Sequence, residues 1–192
     1  GDWSSDVCSS DLFISRSLCQ YLASQNWRIV LISRTEHKLQ TYATETANIY
    51  PSAPQVLTYT ANASIPSSLL SALDWAASQL EGEVDVLCYN AAVVAASDLM
   101  SLTPEAFTAD FQIAAIGVLI AGQWFSKHAN KDHIPGGEYP LFLVTGGILD
   151  KNPMPSYSSL SATKAASQNL TQQFSQVLTR EYSILVGQPL VV

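Results

Sequence analysis

The side chains of this sequence that lend themselves to chemistry are Lys164, Arg34, three histidines (His37, His128, His133), three cysteines (Cys8, Cys19, Cys88) and the serines Ser158, Ser159 and Ser161. A serine nucleophile needs a base beside it and a sharp strand-to-helix turn, for which Gly-x-Ser-x-Gly is the signature. No such pattern surrounds the three serines, so they read as helix-start residues. A zinc site needs three or four Cys, His or carboxylate ligands at short spacings. His128 and His133 flank a polar loop, His37 is remote and the cysteines are scattered, so no metal is expected. An odd cysteine count with no signal peptide ahead of it implies reduced thiols and a cytoplasmic protein. The sequons at Asn62 and Asn169 then read as chance matches.

Charge and hydropathy narrow the partners. The formal net charge is -7 and the nine Lys and Arg residues are dispersed, which leaves no basic face for a nucleic-acid backbone. The longest apolar run, Phe111 to Phe125, contains Gln112 and Gln123 and falls short of the roughly 18 residues that a membrane span takes. A buried helix is therefore expected there, and no membrane. With 47% apolar and 13% charged residues, the chain has the composition of a packed domain rather than a disordered one.

Positioning the candidate side chains falls to alternating helices and strands within one domain. Ile14, Leu18, Tyr21 and Leu22 recur at helical spacing, and Arg28 to Ile32 reads as a strand. A helix over Glu36 to Ile49 leads to a strand over Gln55 to Tyr59, and Pro66 opens a helix reaching Leu80. Val84 to Tyr89 is the next strand. Thr103 caps a long helix that starts with Pro104 and runs to Ala129. A strand over Leu141 to Thr145, a helix over Tyr157 to Arg180 and a strand from Ser183 to Val186 complete the pattern. Continuous apolar strands alternating with helices predict an α/β fold, a parallel sheet covered on both faces. Residues 1–12, GDWSSDVCSSDL, have no such periodicity. They resemble, codon for codon, the translation of a sequencing-adapter oligonucleotide and are set apart as a non-native segment, leaving 13–192 as an incomplete dinucleotide-binding domain.

Four segments, in order, carry a resemblance: Ile32-Ser-Arg34, Tyr89-Asn-Ala-Ala92, Gly117 in the long helix and Ser161-Ala-Thr-Lys164. Over essentially everything beyond Phe13 the chain resembles the short-chain dehydrogenase/reductase family. That resemblance implies a Rossmann-like doubly wound sheet with NAD(P) across the carboxyl ends of its strands. It also implies a first strand between those at Arg28 and Val84, followed by a glycine-rich turn that cradles the pyrophosphate. Only Gly1 precedes the first helix, so the cradle and the strand are missing, and two buried edges would lack partners. Arg34 stands where a basic residue favours a 2′-phosphate, so NADP is expected over NAD. Asn62 matches the adenine-contacting position, an Asn there serving turn chemistry equally well. Asn90 and Ala91 match the Asn-Ala-Gly turn beside the cofactor, with Ala92 in place of its glycine.

The resemblance further implies a catalytic set: a Tyr that exchanges the proton with a carbonyl oxygen, a Lys four residues later that lowers the Tyr pKa, a Ser and a helix Asn. Lys164 fits the Lys. Leu160, Gly147 and Ala114 stand at the other three positions. Tyr157 lies seven residues before Lys164, roughly 10 Å along a helix axis and too far for direct pairing. Thr145, the hydroxyl nearest Gly147, has either face open to it at a strand end. Three readings follow: an NADP-dependent oxidoreductase acting on an unidentified carbonyl or alcohol through a divergent residue set, a non-catalytic dinucleotide-binding sensor or dimer partner, and an incomplete gene product without function of its own. The replaced groups favour the second for an intact protein, and the chain as it stands favours the third. The helix over 103–129 is a candidate homodimer face, with packing on the sheet an equal alternative.

Overall fold

The computed structural model describes the backbone of residues 9–191 and the side chains of 14–189. Cys8, Gly1 and most of the segment set apart above lie outside these residues. Helix α1 (Ser9–Ser24) leads to strand β1 (Val30–Ser33), helix α2 (Glu36–Ile49), strand β2 (Leu57–Thr60), helix α3 (Pro66–Gln79) and strand β3 (Val86–Tyr89). Helices α4 (Pro104–Phe111) and α5 (Gly117–His128) follow, then strands β4 (Leu141–Val144) and β5 (Gly146–Gly147), helix α6 (Ser158–Tyr182) and strands β6 (Leu185–Gly187) and β7 (Leu190–Val191). Every pairing among the described strands is parallel. The expected α/β fold with helices on both faces is what forms.

Local chemistry explains the boundaries. The Thr103 hydroxyl accepts from the Ala106 N–H at 3.2 Å, with Pro104 at the first helical position, so α4 starts where cap and proline agree. Helix α6 ends at Ser183, whose φ of 57° turns the chain out of the helix. Strand β1 starts at Val30 and not at Arg28. The Arg28 guanidinium reaches sideways to the Leu80 carbonyl at 3.2 Å and pairs with Glu83 and Glu81, which anchors the strand entrance instead of extending it. In α1, Tyr21 is exposed at 64% while Cys19 and Ala23 face inward, with Leu22 of the expected stripe packed beside them; of that stripe, Tyr21 is the member that faces outward.

The long helix also departs from expectation. It runs from Pro104 to His128, 25 residues, long and apolar enough by composition alone to cross a membrane, so the shortness of the apolar run does not argue against a span. Packing does: α5 buries Val118, Ala121, Trp124 and Phe125 in the main core. Its course is interrupted by a π-helical turn over Gln112–Ile116, which no periodicity announced. There the Gly117 N–H bonds to the Gln112 carbonyl, and the Ile113 carbonyl instead accepts the Tyr89 hydroxyl at 2.6 Å. Gly117 permits this, because a Cβ there would lie 1.8 Å from the Tyr89 oxygen.

Two cores result. The larger centres on Phe125 and Phe142, both fully buried, with Leu69, Leu73, Trp124 and Leu178 around them; each such side chain contributes roughly 1.5–3 kcal/mol through burial. The smaller comprises Cys19, Ala23, Ile29 and Val56. The sheet is divided in the same way: β1 pairs with β2, and β3, β4 and β6 form a second ladder. No described strand joins β1 to β3. A cavity of about 220 Å³ lies between them.

Candidate functional site

The carboxyl ends of β1, β2 and β3 converge on a second, mainly apolar cavity of about 150 Å³, walled by Ser33, Arg34, Ala61, Asn90, Ala91 and Ile113 among others. Parallel strands place their carboxyl ends together, and loops leaving them form the crevice where α/β sheets bind ligands. Arg34, Asn90 and Ala91, separated in sequence, are thus brought to one site. Asn62 is not on that wall. Its side-chain oxygen accepts from the Ser64 N–H at 3.0 Å and the Ser64 hydroxyl at 2.8 Å, a local turn that gives the residue structural work.

Beside this cavity a hydrogen-bonded chain ties four elements together. The Lys164 ammonium donates to the Thr145 carbonyl at 3.0 Å, the Thr145 hydroxyl donates to Asn90 Oδ1 at 2.6 Å, and Asn90 Nδ2 donates to Ser15 Oγ at 3.2 Å. Thr145 is 2% exposed, so its side chain turns inward to Asn90, which settles the face it chooses. The chain joins α6, β4, β3 and α1 into a rigid rim.

The positions expected to hold acid–base groups carry none. Leu160 is buried on α6, Ala114 is buried in the π-helical turn, and Gly147 lies on β5. Tyr157 stands just outside the start of α6, half-buried, its backbone bridged to Ser97. Ser158 and Ser159 do the work of a helix start: the Ser158 hydroxyl donates to the Ser97 carbonyl at 3.0 Å and that of Ser159 to Asp110 Oδ2 at 2.5 Å.

Sequence reasoning missed Asp150. This side chain is 8% exposed, one carboxylate oxygen accepts from the Gly147 N–H at 3.4 Å, and the other has no hydrogen-bond partner among the described residues. It occupies a short 3-10 turn over Ile148–Asp150, and nothing in the spacing around it signals burial. The Tyr89–Gly117 contact was also unread, although a glycine in an apolar helix is the kind of signal that marks a close approach.

Burial governs the thiols. Cys88, at the junction of both cavities, has its pKa raised from 9.0 to about 11 by desolvation of the thiolate. In the folded state the thiol keeps its proton between pH 9 and 11, where the unfolded chain has lost it, so stability falls as pH rises through that window. The expected loss is of the order of 2 kcal/mol. Urea melts of wild type and Cys88→Ala across this range check it: the decline is shallower in the variant, and equal slopes would remove Cys88 as its source.

The described residues fit the nucleoside half of a dinucleotide: an apolar wall at the strand ends with a guanidinium at its edge. Among the described residues, those that open α1, Ser9-Ser-Asp-Leu12, include no glycine that would let phosphate reach the backbone.

Residues 13–187 match the sequence profile of the family described as short chain dehydrogenase. A curated relative, sorbitol-6-phosphate 2-dehydrogenase of Escherichia coli (strain K12), is 26% identical over 169 residues, which is 88% of this chain and 62% of that protein's length. Among solved structures, a metagenomic short-chain oxidoreductase in complex with NADP superposes with a TM-score of 0.79 at 18% identity, covering 93% of this chain and 77% of the other. An alcohol dehydrogenase from the archaeon Thermococcus sibiricus, complexed with 5-hydroxy-NADP, gives 0.73 at 21% identity, covering 93% and 70%. At such identities the structural likeness speaks for the fold.

Proposed function

Because this chain belongs to the short-chain dehydrogenase family, we propose that it is an NADP-binding member that does not carry out the proton transfer of carbonyl reduction. The observation that carries this reading is Leu160, a buried hydrocarbon side chain four residues before Lys164 on α6. In the family a lysine in that relation acts on a phenol; here the position holds leucine, and the Lys164 ammonium donates to the Thr145 carbonyl. Losing one member of a set that acts as a unit removes most of the rate.

The cofactor choice rests on Arg34, whose guanidinium at the cavity wall suits a 2′-phosphate, and on the NADP held by two similar folds. Asn90, Ala91 and Lys164 would line the ribose side, and NADP when bound would supply hydride chemistry. Titration by NADPH fluorescence is expected to saturate, with Arg34→Ala weakening NADPH roughly ten-fold while NADH binding stays unchanged, since a charge-assisted pair is worth about 1.5–3 kcal/mol. Carbonyl-dependent NADPH oxidation is expected to be absent. Turnover that disappears in Lys164→Ala would sink the non-catalytic reading, and its loss in Asp150→Asn would point to that carboxylate as the proton donor.

A further inference from the structure

We propose that Thr145 is a buried latch: its hydroxyl, acting through the Asn90 amide, holds α1 to the part of the fold built on β3 and β4, and so sets the affinity of the strand-end cavity for a dinucleotide. The affinity half of this inference rests on the NADP-binding reading above; the latch itself does not.

Thr145 is fixed before its side chain acts. Its N–H donates to the Tyr89 carbonyl at 3.2 Å, its carbonyl accepts from the Lys164 ammonium at 3.0 Å, and the residue is 2% exposed. A β-branched side chain on a backbone held from both sides has little choice of rotamer. The hydroxyl is thereby aimed at Asn90 Oδ1, to which it donates at 2.6 Å. An amide has a donor end and an acceptor end. Holding its oxygen toward β4 turns the Asn90 nitrogen the other way, to Ser15 Oγ of α1 at 3.2 Å. One hydroxyl therefore orients a contact in which it takes no part.

That contact crosses a boundary in the fold. On its other side α1 is tied to the part built on β1 and β2: Arg16 pairs with Glu45 of α2 at 2.9 Å, and Cys19 and Ala23 pack with Ile29 and Val56. Ser15, Arg34 and Asn90 all wall the strand-end cavity, so the cavity draws its walls from both parts. Valine has the shape of threonine, and Thr145→Val removes the hydroxyl and little else. The Asn90 oxygen then loses this donor, the amide is free to turn, and the wall supplied by α1 loses a tie to the wall supplied by β3. Thr145→Ser keeps the hydroxyl and with it the tie.

The first test is hydrogen exchange of the ligand-free chain read by mass spectrometry. Thr145→Val is expected to speed exchange about five-fold in peptides from residues 14–24, the order that one lost hydrogen bond gives. Peptides from α6 are expected to keep their rates, and Thr145→Ser to exchange as wild type does. Equal acceleration in α1 and α6 would reveal general destabilisation and overturns the latch, as does no acceleration in α1. The second test is titration with NADPH and with NADH by fluorescence. Thr145→Val is expected to weaken both by a similar factor of about five, unlike Arg34→Ala, and to weaken neither further in an Asn90→Ala background, because the hydroxyl acts through that amide. Weakening that persists in that background, or that falls on one cofactor alone, overturns the proposal. A wild-type chain that binds neither cofactor overturns the NADP-binding reading and the affinity half with it, while the exchange pattern still decides the latch.

Discussion

Gly117→Ala is expected to destabilise the chain by about 3 kcal/mol, although alanine is the better helix former. Helix propensity favours the substitution by about 1 kcal/mol. Against this, the new Cβ would sit 1.8 Å from the Tyr89 oxygen and 2.6 Å from the carbon that bears it. Tyr89 is 7% exposed and bonded to the Ile113 carbonyl, so its ring has no solvent into which to swing. Overpacking of this kind costs roughly 1–3 kcal/mol. Breaking the hydrogen bond strands a buried carbonyl, which costs about 1–3 kcal/mol more. Both penalties pass through Tyr89, so the same substitution made in a Tyr89→Leu background is expected to cost at least 1 kcal/mol less, a coupling typical of residues in contact. Urea unfolding of the four proteins of the cycle measures it. Additive effects would mean that Gly117 serves something other than room for the tyrosine.

Phe142→Ala is expected to cost about 3–5 kcal/mol, the range for removing a buried aromatic side chain and leaving the cavity only partly collapsed. Phe142 is fully buried on β4, meets Phe174 edge-on at 5.9 Å between ring centres and Phe125 at 6.2 Å. Collapse onto the vacancy is hindered from the helix side, where Gly122 already admits the Phe174 ring to within 2.5 Å of its missing Cβ position. Against a typical total stability of about 5–15 kcal/mol, such a loss would leave the chain partly unfolded at physiological temperature. Far-ultraviolet circular dichroism during thermal melting checks it, and a drop under 1 kcal/mol would show that Phe125 and Phe174 can close the gap.

Much of this was legible in the residues. Continuous apolar strands such as Leu141 to Val144, the Thr103-Pro104 start and the helix over Glu36–Ile49 were read from local rules, because pattern, cap and propensity there agree. What escaped was whatever depended on contacts between distant positions. In the π-helical turn the Ile113 carbonyl is taken by Tyr89, and neither residue is marked locally. Tyr21 matched a helical stripe but faces outward, while Cys19, Leu22 and Ala23 make up the face that packs on the smaller core. Thr145 gave no hint of its direction until Asn90 was placed opposite it. Asp150 was invisible, its burial being set by the packing of its turn against α6.

The divided ladder has a consequence for any ligand at the strand ends. Arg34 belongs to the unit of β1 and β2 with its small core, while Asn90 and Lys164 belong to the unit built on Phe125 and Phe142. Among the described residues the two parts share side-chain packing, Ile32 lying against the larger core, and no backbone ladder, and a seam of that kind opens at lower free energy than a hydrogen-bonded one. A molecule that touches Arg34 at one end and Asn90 at the other must first hold the two units in register, and the freedom they lose is subtracted from its affinity. Whatever reinforces the seam between the units therefore acts as a positive effector of binding at a site it never touches.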